Sequence, residues 1–301
     1  MAFFPLFPML VNITNRILNL KIHTTAILLT NLFFVLNSLL IYKLTLKRYG
    51  KTIATNSALF FIFNPASIIF SSFYTESFFM FLFLMGFYAI EYDRAFIASL
   101  FFGLSSLTRS NGILFSIFLL PVIIPNTFTS KLLSLLKTIL LCIISIIPFL
   151  GFQYYSYSSI PGNKDFLFPY SMIQSKYWNQ GLFKFYTLIN IGNFIIGFPF
   201  VMLAIYLVFK YLSSPIDYRL IIYDRQKRNL FCLVTLLAIQ IFMVIFFIHW
   251  NMFFRFISYN PFIYWSLAIL YDNLKKSKKF LFFLLYYFNF GILYAVMYGC
   301  Y

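Results

Sequence analysis

Few residues in this 301-residue chain are equipped for chemistry, since only seven are acidic and two are histidine. Glu76 sits in a Tyr74-Thr75-Glu76-Ser77 corner between two apolar runs. Arg109 sits in a second corner, Thr108-Arg109-Ser110-Asn111-Gly112, and Arg255 in a later stretch from His249 to Pro261. An arginine presents a rigid fork of donors, charged at every relevant pH, that suits a phosphate. Arg109 is the first candidate for such a contact and Arg255 the second. A carboxylate such as Glu76 can orient a hydroxyl or take its proton. Tyr177, Trp178 and Asn179 fit sugar recognition, with aromatic faces for the C–H surface and an amide for hydroxyls. His249 can titrate near neutrality or bind substrate. Tyr74 and Asn111 share corners with the charged residues and complete the candidate set.

Each candidate also has an ordinary reading. Arg109 can snorkel from a helix end to the membrane interface. Glu76 can be a first-turn acid favoured by the helix dipole, with Ser72 as the cap. Interfacial belts enrich Tyr and Trp, and a lone histidine is usually structural. Asn64-Pro65 reads first as a helix break, because proline removes a backbone donor.

Composition fixes the setting. Hydrophobic residues make up 62% and charged residues 10%, against roughly 45–50% and 25% in soluble domains. With mean hydropathy +0.86, the chain reads as a polytopic membrane protein: an all-α bundle of about nine to eleven spanning or half-spanning helices, one domain over 1–301, without a soluble domain. Apolar stretches fall at 24–42, 52–71, 77–90, 132–150, 187–209, 230–249 and 280–299, with shorter ones at 95–107, 113–124 and 262–272. The net charge of +16 lies in short basic runs between apolar stretches rather than in one stripe, so nucleic acid is not an expected partner. Cys142, Cys232 and Cys300 lie inside apolar runs and read as core residues, with neither a disulfide nor a metal signature. No cofactor is expected.

If each apolar segment crosses once, the basic clusters 43–51, 210–228 and 275–279 share one face with Arg94 and Lys131, which the positive-inside rule makes cytosolic. The two corners, the loop 151–186 and the stretch from His249 to Pro261 then converge on the opposite face. Ionisable groups at membrane depth there, Glu76 and Arg109, point to a site. The sequon Asn12-Ile13-Thr14 falls on that face as well. Met1–Pro8 has neither a basic start nor a small-residue cleavage site, so it is no signal peptide. By parity it starts on the far side with no helix to carry it there, which predicts an upstream segment.

Several runs resemble one family, the GPI mannosyltransferase 2 enzymes of the GT-C superfamily. Phe63-Asn64-Pro65-Ala66-Ser67-Ile68-Ile69-Phe70-Ser71-Ser72-Phe73-Tyr74-Thr75-Glu76-Ser77 looks like the family's FNPASIFFS-x-x-YSES run. Thr108–Gly112 is similar to its TRSNG corner, and Tyr177-Trp178-Asn179-Gln180-Gly181 with Asn193-Phe194 to its YWNxG…NF pattern. Arg255-Phe256, Pro261 and Tyr264-Trp265 resemble its RF…P-x-x-YW segment, and Met1–Pro8 the close of its first luminal loop. The order is kept across nearly the whole chain, and the first run is the specific one.

The resemblance implies a multi-pass enzyme of the endoplasmic reticulum membrane. It implies transfer of the second, α1,6-linked mannose from dolichol-phosphate mannose to a GPI intermediate on the luminal side. The donor and acceptor are lipid-linked partners, an accessory membrane subunit stays open, and metal need is not decided. The family's Trp-Asp element in the first luminal loop has no counterpart here, since the first acid is Glu76. The catalytic base is therefore unassigned, with Glu76 as its stand-in, and the resemblance implies a missing N-terminal helix and loop. The rival readings are another dolichol-phosphate-sugar transferase, a non-catalytic membrane subunit, and a lipid transporter.

Overall fold

The computed structural model describes residues 4–123, 128–159, 174–177, 179–215, 221 and 224–298. Among them every regular element is helical. The candidate Trp178 lies outside the described residues, as does Cys300.

The chain enters through a short amphipathic helix α1 (Leu6–Leu18), which buries Phe7 and Val11 and exposes Met9, Ile13 and Ile17. It then runs as α2 (Ile22–Tyr49), α3 (Lys51–Ile62), α4 (Ser67–Ser71), α5 (Glu76–Glu91) and α6 (Ala95–Ser106). After two 3₁₀ turns come α7 (Phe128–Ser158), α8 (Ile191–Leu212), α9 (Arg225–Phe246), α10 (Phe253–Ile257), α11 (Pro261–Leu274) and α12 (Lys278–Tyr298). Among the described residues four stretches are long and apolar enough to cross a membrane: Ile22–Tyr49, Leu132–Ser158, Leu188–Leu212 and Arg225–Phe246. The outer face of α7 shows why water is the wrong solvent. Leu132, Leu136, Leu140, Ile143 and Ile147 are all exposed along it, an apolar stripe that only lipid covers without penalty.

Helix α5 is the centre of the bundle. Its sequence is apolar on every side, so it has no natural solvent face. From Phe78 to Ile90 nearly every side chain is buried, against α2 and α6 in particular. The neighbouring apolar stretch, described from 113 to 123, forms 3₁₀ turns (Ser110–Phe118 and Leu120–Ile123) rather than the α-helix its pattern suggests. A 3₁₀ screw eclipses residues three apart. Phe115 and Phe118 thereby share one face and meet Phe83 of α5, with ring centroids 4.3 Å and 5.7 Å away.

The Asn64-Pro65 break falls where the proline predicts it, between α3 and α4. Asn64 satisfies the broken backbone itself. Its Nδ2 donates to the Phe61 carbonyl at 2.5 Å, and its Oδ1 accepts from the Ala66 amide at 2.7 Å. Two asparagines of α2 serve carbonyls on the neighbouring segment: Asn31 donates to Ser71 O (2.9 Å) and Asn37 to Ser77 O (2.8 Å). Irregular backbone at membrane depth persists where its polar groups find such partners. On the far side, Gly291 of α12 lies against the break so closely that a Cβ there would meet Pro65 O at 2.9 Å.

The two ends of α5 carry opposite tasks. At its C-terminal end Glu91 is buried, and its Oε1 accepts from Arg48 Nη2 (2.7 Å) and Asn229 Nδ2 (2.8 Å). Arg225 pairs with Asp93 next to it, and the Arg48 guanidinium lies 5.0 Å from the Trp265 ring. The basic ends of α2 and α9 therefore share one face, as the charge pattern predicts. Glu76 is fifteen residues back along the same helix, about 22 Å away at 1.5 Å per residue.

Candidate active site

Glu76 opens α5 after the tight corner 72–75. Thr75 is the N-cap residue, and no side chain caps the helix. The Ser72 hydroxyl instead donates back to Ile68 O at 2.7 Å, so the capping role read from its position is corrected. That carbonyl also accepts from the Ser72 amide at 3.1 Å, so the hydroxyl closes the end of α4 rather than the start of α5.

Arg109 is delivered by the end of α6. Its own backbone is extended (φ −152°, ψ 146°), which turns the chain sharply into the 3₁₀ segment. Gly112 makes that turn fit: a Cβ there would lie 2.5 Å from the Ser106 amide nitrogen and 2.6 Å from the Ser105 carbonyl carbon. Backbone cannot step aside as a flexible side-chain end can. Gly112→Ala should therefore destabilise the fold by about 1–3 kcal/mol and displace Arg109, which a lowered unfolding midpoint in detergent would report.

Arg255 comes from the short α10, held from behind by a buried glutamine. Gln240 of α9 donates through Nε2 to Phe256 O (2.5 Å) and to the Tyr259 hydroxyl (2.9 Å). Asn260 fixes the next turn by donating to Leu233 O at 2.9 Å. The Tyr259 hydroxyl also hydrogen-bonds Asn111, which ties the second corner to the late segment.

The three charged groups meet at one oxygen. Glu76 Oε1 lies 2.8 Å from Arg109 Nη1, 2.5 Å from Arg255 Nη2 and 3.2 Å from Arg255 Nε. The Arg109 Nη1 also donates to Thr75 Oγ1 at 3.3 Å. The Arg255 guanidinium sits 5.1 Å from the Tyr74 ring and that of Arg109 5.9 Å from the Phe79 ring. Burial separates the two arginines. Glu76 is 4% exposed and Arg255 13%, while Arg109 is 30% exposed. Arg255 spends two donors on Glu76, whereas among the described residues Arg109 binds through Nη1 alone. The remaining donors of Arg109 are the ones free to meet a ligand. One carboxylate and two guanidiniums leave a net charge of +1 around a narrow cleft of about 10 Å³, room for roughly one water, lined by Phe70, Phe79, Asn111, Phe256 and Tyr259 besides the charged three. Such a cleft selects an anion.

Five of the sequence candidates thus converge: Tyr74, Glu76, Arg109, Asn111 and Arg255. Three described ones stand apart from the cleft wall. Tyr177 is exposed, and Asn179 is exposed with a positive φ of 48°. Their segment is tied to the end of α9, where Phe183 N donates to Phe246 O at 2.8 Å and Tyr186 Oη to Ile245 O at 2.7 Å. His249 rests on the Phe185 ring, 4.1 Å between centroids. Sequence reasoning missed Tyr259 and Gln240. The signal for Gln240 was present, since it is the one amide inside the apolar run 230–249, and such residues usually bond across helices. Among the described residues no His/Cys/Asp/Glu group could hold a metal ion.

The profile of one family, described as Mannosyltransferase (PIG-V), matches residues 1–294. The chain belongs to the PIG-V mannosyltransferase family. GPI mannosyltransferase 2 of Schizosaccharomyces pombe is 28% identical over 242 residues, covering 74% of this chain and 50% of that protein. GPI mannosyltransferase 2 of Yarrowia lipolytica is 31% identical over 201 residues (63% and 54%). The human GPI alpha-1,6-mannosyltransferase 2 is 25% identical over 263 residues (71% and 53%). The chain spans about half the length of the curated relatives it matches. No solved structure matches it.

Proposed function

We propose that the protein is a mannosyltransferase of GPI-anchor synthesis in the endoplasmic reticulum membrane. It adds the second, α1,6-linked mannose from dolichol-phosphate mannose on the luminal side. The observation that carries this reading is the two-arginine cleft, net +1, in a chain of the PIG-V family. The cleft lies at the end of α5 opposite the basic face, so a cytosolic basic face puts it toward the lumen.

Transfer from a β-linked phosphosugar to an α-glycoside implies a single inverting displacement. The bond from the anomeric carbon to the phosphate oxygen breaks, and the acceptor hydroxyl oxygen takes its place. The electron pair stays on the leaving lipid phosphate, whose growing charge Arg109 meets with its remaining donors. Arg255 holds the geometry and adds its field. The Tyr74 and Phe79 rings lie within cation–π reach of the Arg255 and Arg109 guanidiniums.

The acceptor proton needs a base, a role left unassigned even with Glu76 in the cleft. Its Oε1 already takes three guanidinium contacts from two cations, and no other carboxylate lines the cleft among the described residues. These residues bind and orient. The test is complementation of cells that lack this transferase and accumulate the one-mannose GPI intermediate. Expression of the chain should consume that intermediate; its persistence with the protein correctly inserted would overturn the assignment.

A further inference from the structure

The two oxygens of Glu76 are treated very differently. Oε1 receives Arg109 Nη1 and Arg255 Nε and Nη2. Oε2 is buried and has no hydrogen-bond partner among the described residues. Glu76 itself lines the cleft between the two arginines. An ionised carboxylate accepts at about four lone-pair sites and donates at none. A buried charged oxygen without a donor is costly, so native structures usually give it one.

We propose that Glu76 Oε2 accepts a hydrogen bond from a sugar hydroxyl, so that the cleft recognises a phosphate-linked sugar in two parts. The guanidinium donors take the phosphodiester oxygens, and the carboxylate oxygen takes a hydroxyl of the attached ring. A phosphodiester carries no donor for Oε2, and its negative charge is repelled there. Glu76 is thus the specificity element that separates a glycosyl phosphodiester from a plain one of equal charge. Asn111 and Tyr259, which also line the cleft, have their polar groups bonded to one another.

This inference rests on the phosphate reading of the cleft, and the test separates the two. Binding of mannosyl dodecyl phosphate and of methyl dodecyl phosphate, both monoanionic diesters, is measured on the purified full chain in nanodiscs. The wild type should prefer the mannosyl lipid by about tenfold or more, as expected for one charge-assisted hydrogen bond. Glu76→Gln keeps the shape, removes the charge and raises the site to +2. That variant should bind the methyl lipid as well as or better than wild type, and its preference should shrink to about threefold. A purely structural role would weaken both lipids together. Equal wild-type binding of the two lipids, or a full preference retained in Glu76→Gln, overturns the hydroxyl assignment while leaving the phosphate site standing. Failure of the wild type to bind either lipid overturns both.

Discussion

Arg109→Ala should lower mannose transfer by about 10²–10³-fold while the protein still inserts and reaches the endoplasmic reticulum. Removing one preorganised donor from a developing oxyanion typically costs that much. Arg109 is the better target of the two arginines because it is the more exposed and holds Glu76 with a single nitrogen. Its loss leaves Glu76 paired with Arg255 through Nε and Nη2, so the fold keeps its buried ion pair. Arg109→Lys should recover only part of the loss, since a point charge lacks the fork. Transfer is read in membranes containing the proposed donor and one-mannose acceptor, with protein level and localisation as controls. Normal turnover in Arg109→Ala would remove the arginine from the phosphate.

The second large effect concerns folding. Glu76→Ala should destabilise the protein by about 3–5 kcal/mol, the range seen when one partner of a buried ion pair is removed. Two guanidiniums would then face each other, Arg255 with 13% exposure and little access to water. The prediction has an internal control. Adding Arg255→Met to Glu76→Ala should be less damaging than the two single changes summed, with a coupling of about 0.5–3 kcal/mol. Thermal unfolding of the four proteins in one detergent measures it. Strict additivity would mean that the contact between Glu76 and Arg255 contributes nothing, and a neutral Glu76→Ala would mean that water already screens both arginines.

The two predictions assign different tasks to the arginines, a division that neither corner of the sequence announces. On residue type both Arg109 and Arg255 are candidate phosphate ligands, with Arg109 first. Their difference lies in exposure and in the number of donors each spends on Glu76, quantities that exist only once the chain is packed. Tyr259 was hidden among 23 tyrosines, and its place in the cleft wall follows from the Gln240 bond behind it. Tyr177 and Asn179 had a convincing composition for a sugar site, yet their segment is carried by α9 and stands off the cleft. The Glu91–Arg48 clasp was equally invisible, since a basic run after an apolar helix reads as a cytosolic loop whether or not an acid waits beside it.

Membrane residence, the helical class, the break at Asn64-Pro65, the shared basic face and the polar corners opposite it were all determined by the sequence alone. These follow from local quantities: apolar length against bilayer thickness, a missing proline donor, and the distribution of lysine and arginine. Tertiary structure alone decided that Glu76 is gripped by two arginines, one of them 179 residues away, that its buried Oε2 is unpaired among the described residues, and which arginine is the more exposed. The reason is physical. A buried charge is tolerated only where its partners arrive from separate helices with the right distance and angle, and no pattern along the chain encodes that meeting point.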